Sequence, residues 1–258
     1  MKFFLKNALT LLAISGLLLS SCKKDDDDDK NGGGDNTVGK VELKFDHGWG
    51  PAHLPFSLNT ALIYPMTQEE ITFNTLRYYF TNIVLHKADG STWAEPESYR
   101  IVDVRGNSMP TLTLDNVPSG RYTKISFMIG VDSLRNTSGA QTGALDPAET
   151  MFWSWTTGYI FIKAEGVSPS APQGMFVYHI GGFQGPNNAI RTRTLDFDGA
   201  HIDVAANARP SIHFKVNAAR FWHGGISLND VNMVHMPGAN AKTLADNFIG
   251  AFSIDHVH

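Results

Sequence analysis

From Lys40 onward, apolar residues recur at every second position. Val41, Leu43 and Phe45 alternate with polar neighbours, and Ile83 and Leu85, Leu112 and Leu114, and Ile125, Phe127 and Ile129 keep the same spacing. The pattern returns at Ile160 and Ile162, at Met175 and Val177, and at Ile212, Phe214 and Val216. A period of two puts alternate side chains on one face, so each run predicts a strand with one buried side. Ala88-Asp89-Gly90, Val117-Pro118-Ser119-Gly120 and Asp198-Gly199 supply turns between the runs. Many short strands with such punctuation argue for a sandwich or a barrel; the expected fold is all-β, an antiparallel β-sandwich. Helical periodicity is scarce. Leu244, Phe248 and Phe252 recur at four-residue spacing and predict one short C-terminal helix over Lys242 to Phe252. No linker or change of composition divides residues 40–258, which read as a single domain without internal repeats.

The first 39 residues follow different rules. Lys2 and Lys6 precede the apolar stretch Ala8 to Leu19, which ends in Leu19-Ser20-Ser21-Cys22. A basic start, a short apolar run and small residues at the boundary describe an export signal over residues 1–21. The run falls short of the ~20 apolar residues a spanning helix needs. Cys22 is the single cysteine of the chain, and its place at the boundary resembles a bacterial lipobox, with Cys22 as the lipidated residue. Lys23-Lys24, the run Asp25 to Asp29 and the Gly-rich residues after Lys30 then form a solvated tether over residues 22–39. A basic residue and an acidic run placed directly after such a cysteine resemble the surface-export signal of Bacteroidota lipoproteins. The expected location is the outer membrane, through the lipid anchor, facing the cell surface or the periplasm.

Composition adds mainly exclusions. Hydrophobic residues make up 42% of the 258 and charged residues 18%, which excludes wholesale disorder. Residues 1–35 hold five of the basic and six of the acidic residues, so the remainder carries 16 Lys+Arg against 19 Asp+Glu. A nearly neutral domain has no global basic field, and no nucleic-acid partner is expected.

Ten histidines beside one cysteine are the compositional oddity. Imidazole is the commonest metal ligand and suits Zn, Cu, Fe and Ni. Three placements stand out. Asp46-His47-Gly48-Trp49, with His53 beyond, lies at the end of the first strand, where Gly and Pro predict a loop; Tyr178-His179-Ile180-Gly181-Gly182 runs from a strand into a Gly-rich loop. His256-x-His258 puts two imidazoles on one face of an extended chain. His86, His201 and His213 read as hydrogen-bonded packing residues of strands. No HExxH, CxxC or zinc-finger spacing is present, which disfavours a zincin or a structural zinc module.

The densest aromatic feature is Met151-Phe152-Trp153-Ser154-Trp155-Thr156-Thr157-Gly158-Tyr159. Trp153 and Trp155 share a face if the segment is extended, which suits either the core or a platform for sugar rings. Glycoside hydrolysis needs two carboxylates across a cleft, and the spacing of Asp46, Asp103, Asp132, Asp146 and Glu165 selects no pair. There is no G-x-S-x-G elbow, P-loop or dinucleotide fingerprint, and no enzymatic activity is expected.

Several segments together resemble the MbnP-like family, relatives of the methanobactin-associated periplasmic copper protein. They are Val41 to His47, Phe73 to Ile83, Val117 to Tyr122, Gly130-Val131-Asp132, Trp153-x-Trp155 ending in Gly158-Tyr159, Tyr178 to Gly181, and Asp255 to His258. The resemblance implies a secreted or lipid-anchored β-sandwich with a copper site. It also implies a partner, a di-haem cytochrome resembling cytochrome c peroxidases, that oxidises a tryptophan to kynurenine. The modified ring then helps histidines bind copper, and neutral imidazoles with a further nitrogen suit Cu(I). Four-cysteine members of the wider group carry disulfides; this chain has one cysteine.

The expected protein is a lipid-anchored copper binder with a metal site of His47, His179, His256 and His258. Copper, as Cu(I), is the expected ion, with another divalent metal as the variant. Trp153 and Trp155 are the tryptophans expected to be modified, with Trp49 next. The alternative is a surface module that binds glycan or protein through the Trp153/Trp155 face.

Overall fold

The structure is a computed structural model that describes residues 37–105, 109–154 and 156–258. The expected signal peptide, most of the tether, Cys22 and Trp155 lie outside the described residues. The principal elements are β1 (Val38–Trp49), β2 (Glu70–Lys87), β3 (Thr111–Pro118), β4 (Gly120–Ile129) and β5 (Ile162–Val167). They continue with β6 (Met175–Ile180), β7 (Arg191–Asp196), β8 (Ser211–Asn217), α1 (Ala239–Ile249) and β9 (Phe252–Val257).

The strands build two large sheets. In the first the order is β9-β8-β1, with β3 on the far side of β1 and Leu54–Pro55 against its end. In the second the order is β7-β4-β2-β5-β6, extended by the two-residue strand Met233–Val234. The sandwich forms as the period of two predicts, and its sheets are mixed rather than purely antiparallel. β1 pairs β8 in parallel, and β6 pairs Met233–Val234 in parallel. Both pairs join segments far apart in sequence, so no hairpin forces the antiparallel sense.

Alternation decides which side chains meet between the sheets. Val41, Leu43 and Phe45 of β1 and Ile212, Phe214 and Val216 of β8 are fully buried. They face Tyr78 and Phe80 of β2 and Phe127 of β4. Phe45 stacks on Phe214 at 5.0 Å between ring centroids and meets Phe80 edge-on at the same distance. Phe80 stacks on Phe127 at 4.4 Å. Offset and edge-on aromatic pairs of this kind add to the stabilisation that burial alone supplies.

The helix lies three residues earlier than the four-residue spacing suggests at each end. Ala241, Leu244, Ala245 and Phe248 form its buried stripe, and Phe248 stacks on Phe221 at 4.5 Å. The chain turns at Gly250 and Ala251, whose N–H groups donate to Asn247 and Phe248 carbonyls. A Cβ on Gly250 would lie 2.9 Å from Arg220 Nε, so a residue without one fits this turn. Phe252 therefore opens β9 instead of closing the helix, and its ring packs on Phe127 at 5.2 Å.

β9 also carries a bulge. His213 pairs with His256 and Phe214 with Ile254, so Asp255 is the extra residue. Without it, strict alternation would turn His256 towards the core. With it, Ile254 and Val257 stay partly buried while Asp255 and His256 are both exposed.

Candidate metal centres

At the free edge of the first sheet, His213, His256 and His258 come together. One nitrogen of each ring lies within 4.8 Å of the others. His213 stacks on His256 at 4.1 Å between centroids, and His258 stands nearly perpendicular to His213 at 4.9 Å. Backbone pairing extends past the last strand residue: Ser211 donates to the His258 carbonyl, and His258 donates back to Ser211, which anchors the end of β9. Partial burial lowers the pKa of His213, helped by His256, Lys44 and His258 and opposed by Asp255.

On the second sheet, β6 points Phe176, Tyr178 and Ile180 inwards and leaves Val177 and His179 on the other face. The register of β6 with Met233–Val234 brings His235 beside His179, their ring centroids 5.8 Å apart and nearly perpendicular. His179 Nε2 sits 2.7 Å from Glu165 Oε1. Burial pushes the Glu165 carboxyl up, but the hydrogen bond to His179 and the Lys163 ammonium outweigh it and its pKa is lowered. A carboxylate that accepts from Nε2–H fixes the tautomer with a free lone pair on Nδ1. Met233 and Met236 flank His235, and both thioethers are exposed.

Trp153 belongs to the same edge. The hairpin of Phe152–Ser154 with Gly158–Tyr159 holds the indole over Gly181, two residues beyond His179. A Cβ on Gly181 would lie 2.7 Å from Trp153 Cζ3 and 2.4 Å from the Tyr159 carbonyl oxygen. On Gly182 it would lie 3.0 Å from Pro237, two residues beyond His235. The Gly181-Gly182 pair is therefore the close-packed hinge between the indole and the His235 segment. Half-buried on Gly181, Trp153 offers less of its ring face to a sugar than a free platform would. His235 and Met236 line an open pocket of about 280 Å³ that ends at the start of α1.

The expected single site of His47, His179, His256 and His258 is divided among three places. His256 and His258 lie on the outer face of the first sheet, His179 on the outer face of the second. His47 lies in the core. Its Nδ1 donates to the Phe45 carbonyl and its Nε2 accepts from the Tyr78 hydroxyl, each at 3.1 Å. Burial lowers its pKa to about 4, against smaller opposing effects from the Phe45 carbonyl and Asp46. The cause is parity: β1 runs on to Trp49, so Phe45, His47 and Trp49 share the inward face. Trp49 is buried against Trp222 and donates from Nε1 to the Ile63 carbonyl.

Two histidines gain a place that lone-strand logic denied them. His213 is a packing residue by sequence, yet β8 carries it opposite His256. His235 follows the short strand Met233–Val234, and the dense run of soft and nitrogen donors in Met233-x-His235-Met236 is the sequence signal that points to it. His86 behaves as a packing residue, its ring bonding Ser126 Oγ at 2.7 Å, whereas His201 lies just before the strand Ile202–Val204, exposed, with Asp203 at 3.4 Å.

The MbnP family profile matches residues 38–237. Among solved structures, MbnP from Methylosinus trichosporium superposes with a TM-score of 0.51 at 15% identity, covering 78% of this chain and 82% of that one. At that identity the likeness shows the fold. No curated protein sequence matches the chain. The matched region runs from β1 through Trp153, His179 and His235, and stops before α1 and β9. With well over half of its length inside the family profile, the chain belongs to the MbnP family.

Proposed function

We propose that the protein binds copper as cargo at the edge where His179 and His235 meet beside Trp153. The observation that carries this is the 5.8 Å approach of two imidazoles next to exposed thioethers. Imidazole and thioether donors together favour Cu(I) over harder cations. Glu165 orients His179, and the Gly181-Gly182 hinge ties the indole to the same edge. The family resemblance supports Trp153 as the residue that a di-haem, cytochrome c peroxidase-like partner opens to kynurenine. That change adds an aryl amine where the indole offers only an N–H donor. Anchoring through a lipid on Cys22 would hold such a protein at the outer membrane, in a role of capture or storage rather than catalysis.

Titration of the tag-free protein from its native host with Cu(I), in competition with a chromogenic chelator, tests the site. One tight equivalent that disappears in His179→Ala/His235→Ala is the expected result. Undiminished affinity in that variant would place the copper elsewhere.

A further inference from the structure

The three histidines of the first sheet stand apart from that edge. They sit on the outer face of the opposite sheet, and His256 and His258 lie beyond the residues the family profile matches. Three features make them more than neighbours. The first is convergence: three imidazole nitrogens lie within 4.8 Å of one another, so that modest side-chain rotations bring them round one ion at the ~2.0–2.1 Å of a metal–imidazole bond. The second is orientation. His256 Nδ1 lies 2.7 Å from Asp255 Oδ2, which leaves Nε2 as the ligand atom, and Lys215 pairs with the same carboxylate. A His256 ligand oriented by Asp255, itself paired with Lys215, has the outer-shell support that histidine metal sites use. The third is the bulge at Asp255, which turns His256 outwards and presents its carboxylate on the same side. Nearby ammonium charges are matched by carboxylates: Lys44 pairs with Glu42 at 3.4 Å, and Lys215 with Asp255.

We propose that His213, His256 and His258 form a second metal site that holds one first-row divalent cation through three imidazole nitrogens. The donor set is nitrogen alone, without thiolate or thioether, and three imidazoles suit borderline divalent ions. Cu(II) binds most tightly and Zn(II) less so, following the usual order for nitrogen sites. His256 and His258 are exposed, so solvent completes the coordination and the ion exchanges freely with the medium. The site is independent of copper at the His179–His235 edge.

The test uses the full chain without a polyhistidine tag, titrated with Cu(II) and followed by electron paramagnetic resonance. Wild type takes up one strong equivalent whose spectrum shows coupling to several nitrogens. His256→Ala/His258→Ala loses that equivalent, and His179→Ala/His235→Ala keeps it. His213→Gln loses it too while retaining a side chain that can bond Ser211, which sits 3.0 Å from His213 Nε2. That variant separates loss of a ligand from loss of fold. Unchanged stoichiometry and spectra in both tri-histidine variants overturn the proposal, as does a folded wild type that takes up no Cu(II). Loss confined to His179→Ala/His235→Ala assigns the ion to the other edge and also overturns it.

Discussion

His47 and Tyr78 are joined by a 3.1 Å hydrogen bond between the sheets, with the hydroxyl donating to an imidazole that is neutral. The Tyr78 hydroxyl is itself kept protonated by burial, which raises its pKa well above the ordinary tyrosine value. This histidine therefore contributes to stability through its uncharged form. In the unfolded chain it takes up a proton near pH 6.5, whereas in the native protein it does so only near 4. Between those values the unfolded state binds more protons, so stability falls as pH drops through the window. The slope from this group is about 1.4 kcal/mol per pH unit, and the total on the order of 3 kcal/mol. Urea unfolding from pH 7 to 4 checks this. His47→Gln flattens the dependence by that slope; an equally steep variant contradicts it.

The aromatic core gives a second prediction. Phe80 touches Phe45, Phe127 and Phe214, which tie β2 to both β4 and the opposite sheet. Phe80→Ala should cost about 3–5 kcal/mol, the range for emptying a buried phenylalanine site. A loss below about 1 kcal/mol in denaturant unfolding would mean that the sheets are not held together at this point.

Gly181 is the third. An added Cβ meets the Tyr159 carbonyl oxygen and the Trp153 ring at distances no side chain tolerates. Gly181→Ala should destabilise the protein by about 1–3 kcal/mol and displace the indole. Copper uptake from Cu(I) should weaken in parallel. A variant with native stability and native uptake would show that Trp153 is not fixed by this contact.

The alternation of Val41, Leu43 and Phe45, and its echo in β4 and β8, made the sandwich legible from residues alone. The same parity contained the fate of His47, because a strand that continues to Trp49 must turn it inwards. The loop that Gly48, Gly50 and Pro51 suggest there masks that parity. His213 was not legible in the same way. On its own strand it is one imidazole between apolar residues, and only the antiparallel pairing of β8 with β9 sets it against His256. That pairing is a long-range contact, which local periodicity does not encode. The Asp255 bulge is half visible: Ile254 and Val257 are three apart, a spacing regular alternation cannot bury on one face. At the other edge, Trp153 and His179 stood out separately. Their connection through Gly181, and the arrival of His235 by a parallel two-residue strand, needed the fold.

Glu165 gives the fourth prediction. It accepts from His179 Nε2 and receives Lys163 at 3.7 Å. Glu165→Gln keeps the shape and removes the charge. Cu(I) affinity should fall by about 10–100-fold, the usual effect of losing an outer-shell partner. Stability should change by no more than about 1 kcal/mol, because the pair is half exposed. Chelator competition and thermal unfolding on the same sample separate the two effects. An unchanged affinity would mean that Glu165 does not orient a ligand.

We propose that this MbnP-family chain carries copper beside a tryptophan that is chemically altered in the cell. The most direct test is to purify the protein from its native host without a tag, and to measure metal content and the mass of the peptide containing Trp153 together. Copper on the chain, together with a mass shift matching opening of the Trp153 indole ring, is the expected result. Copper-free protein with an unmodified Trp153 that also refuses Cu(I) would contradict it.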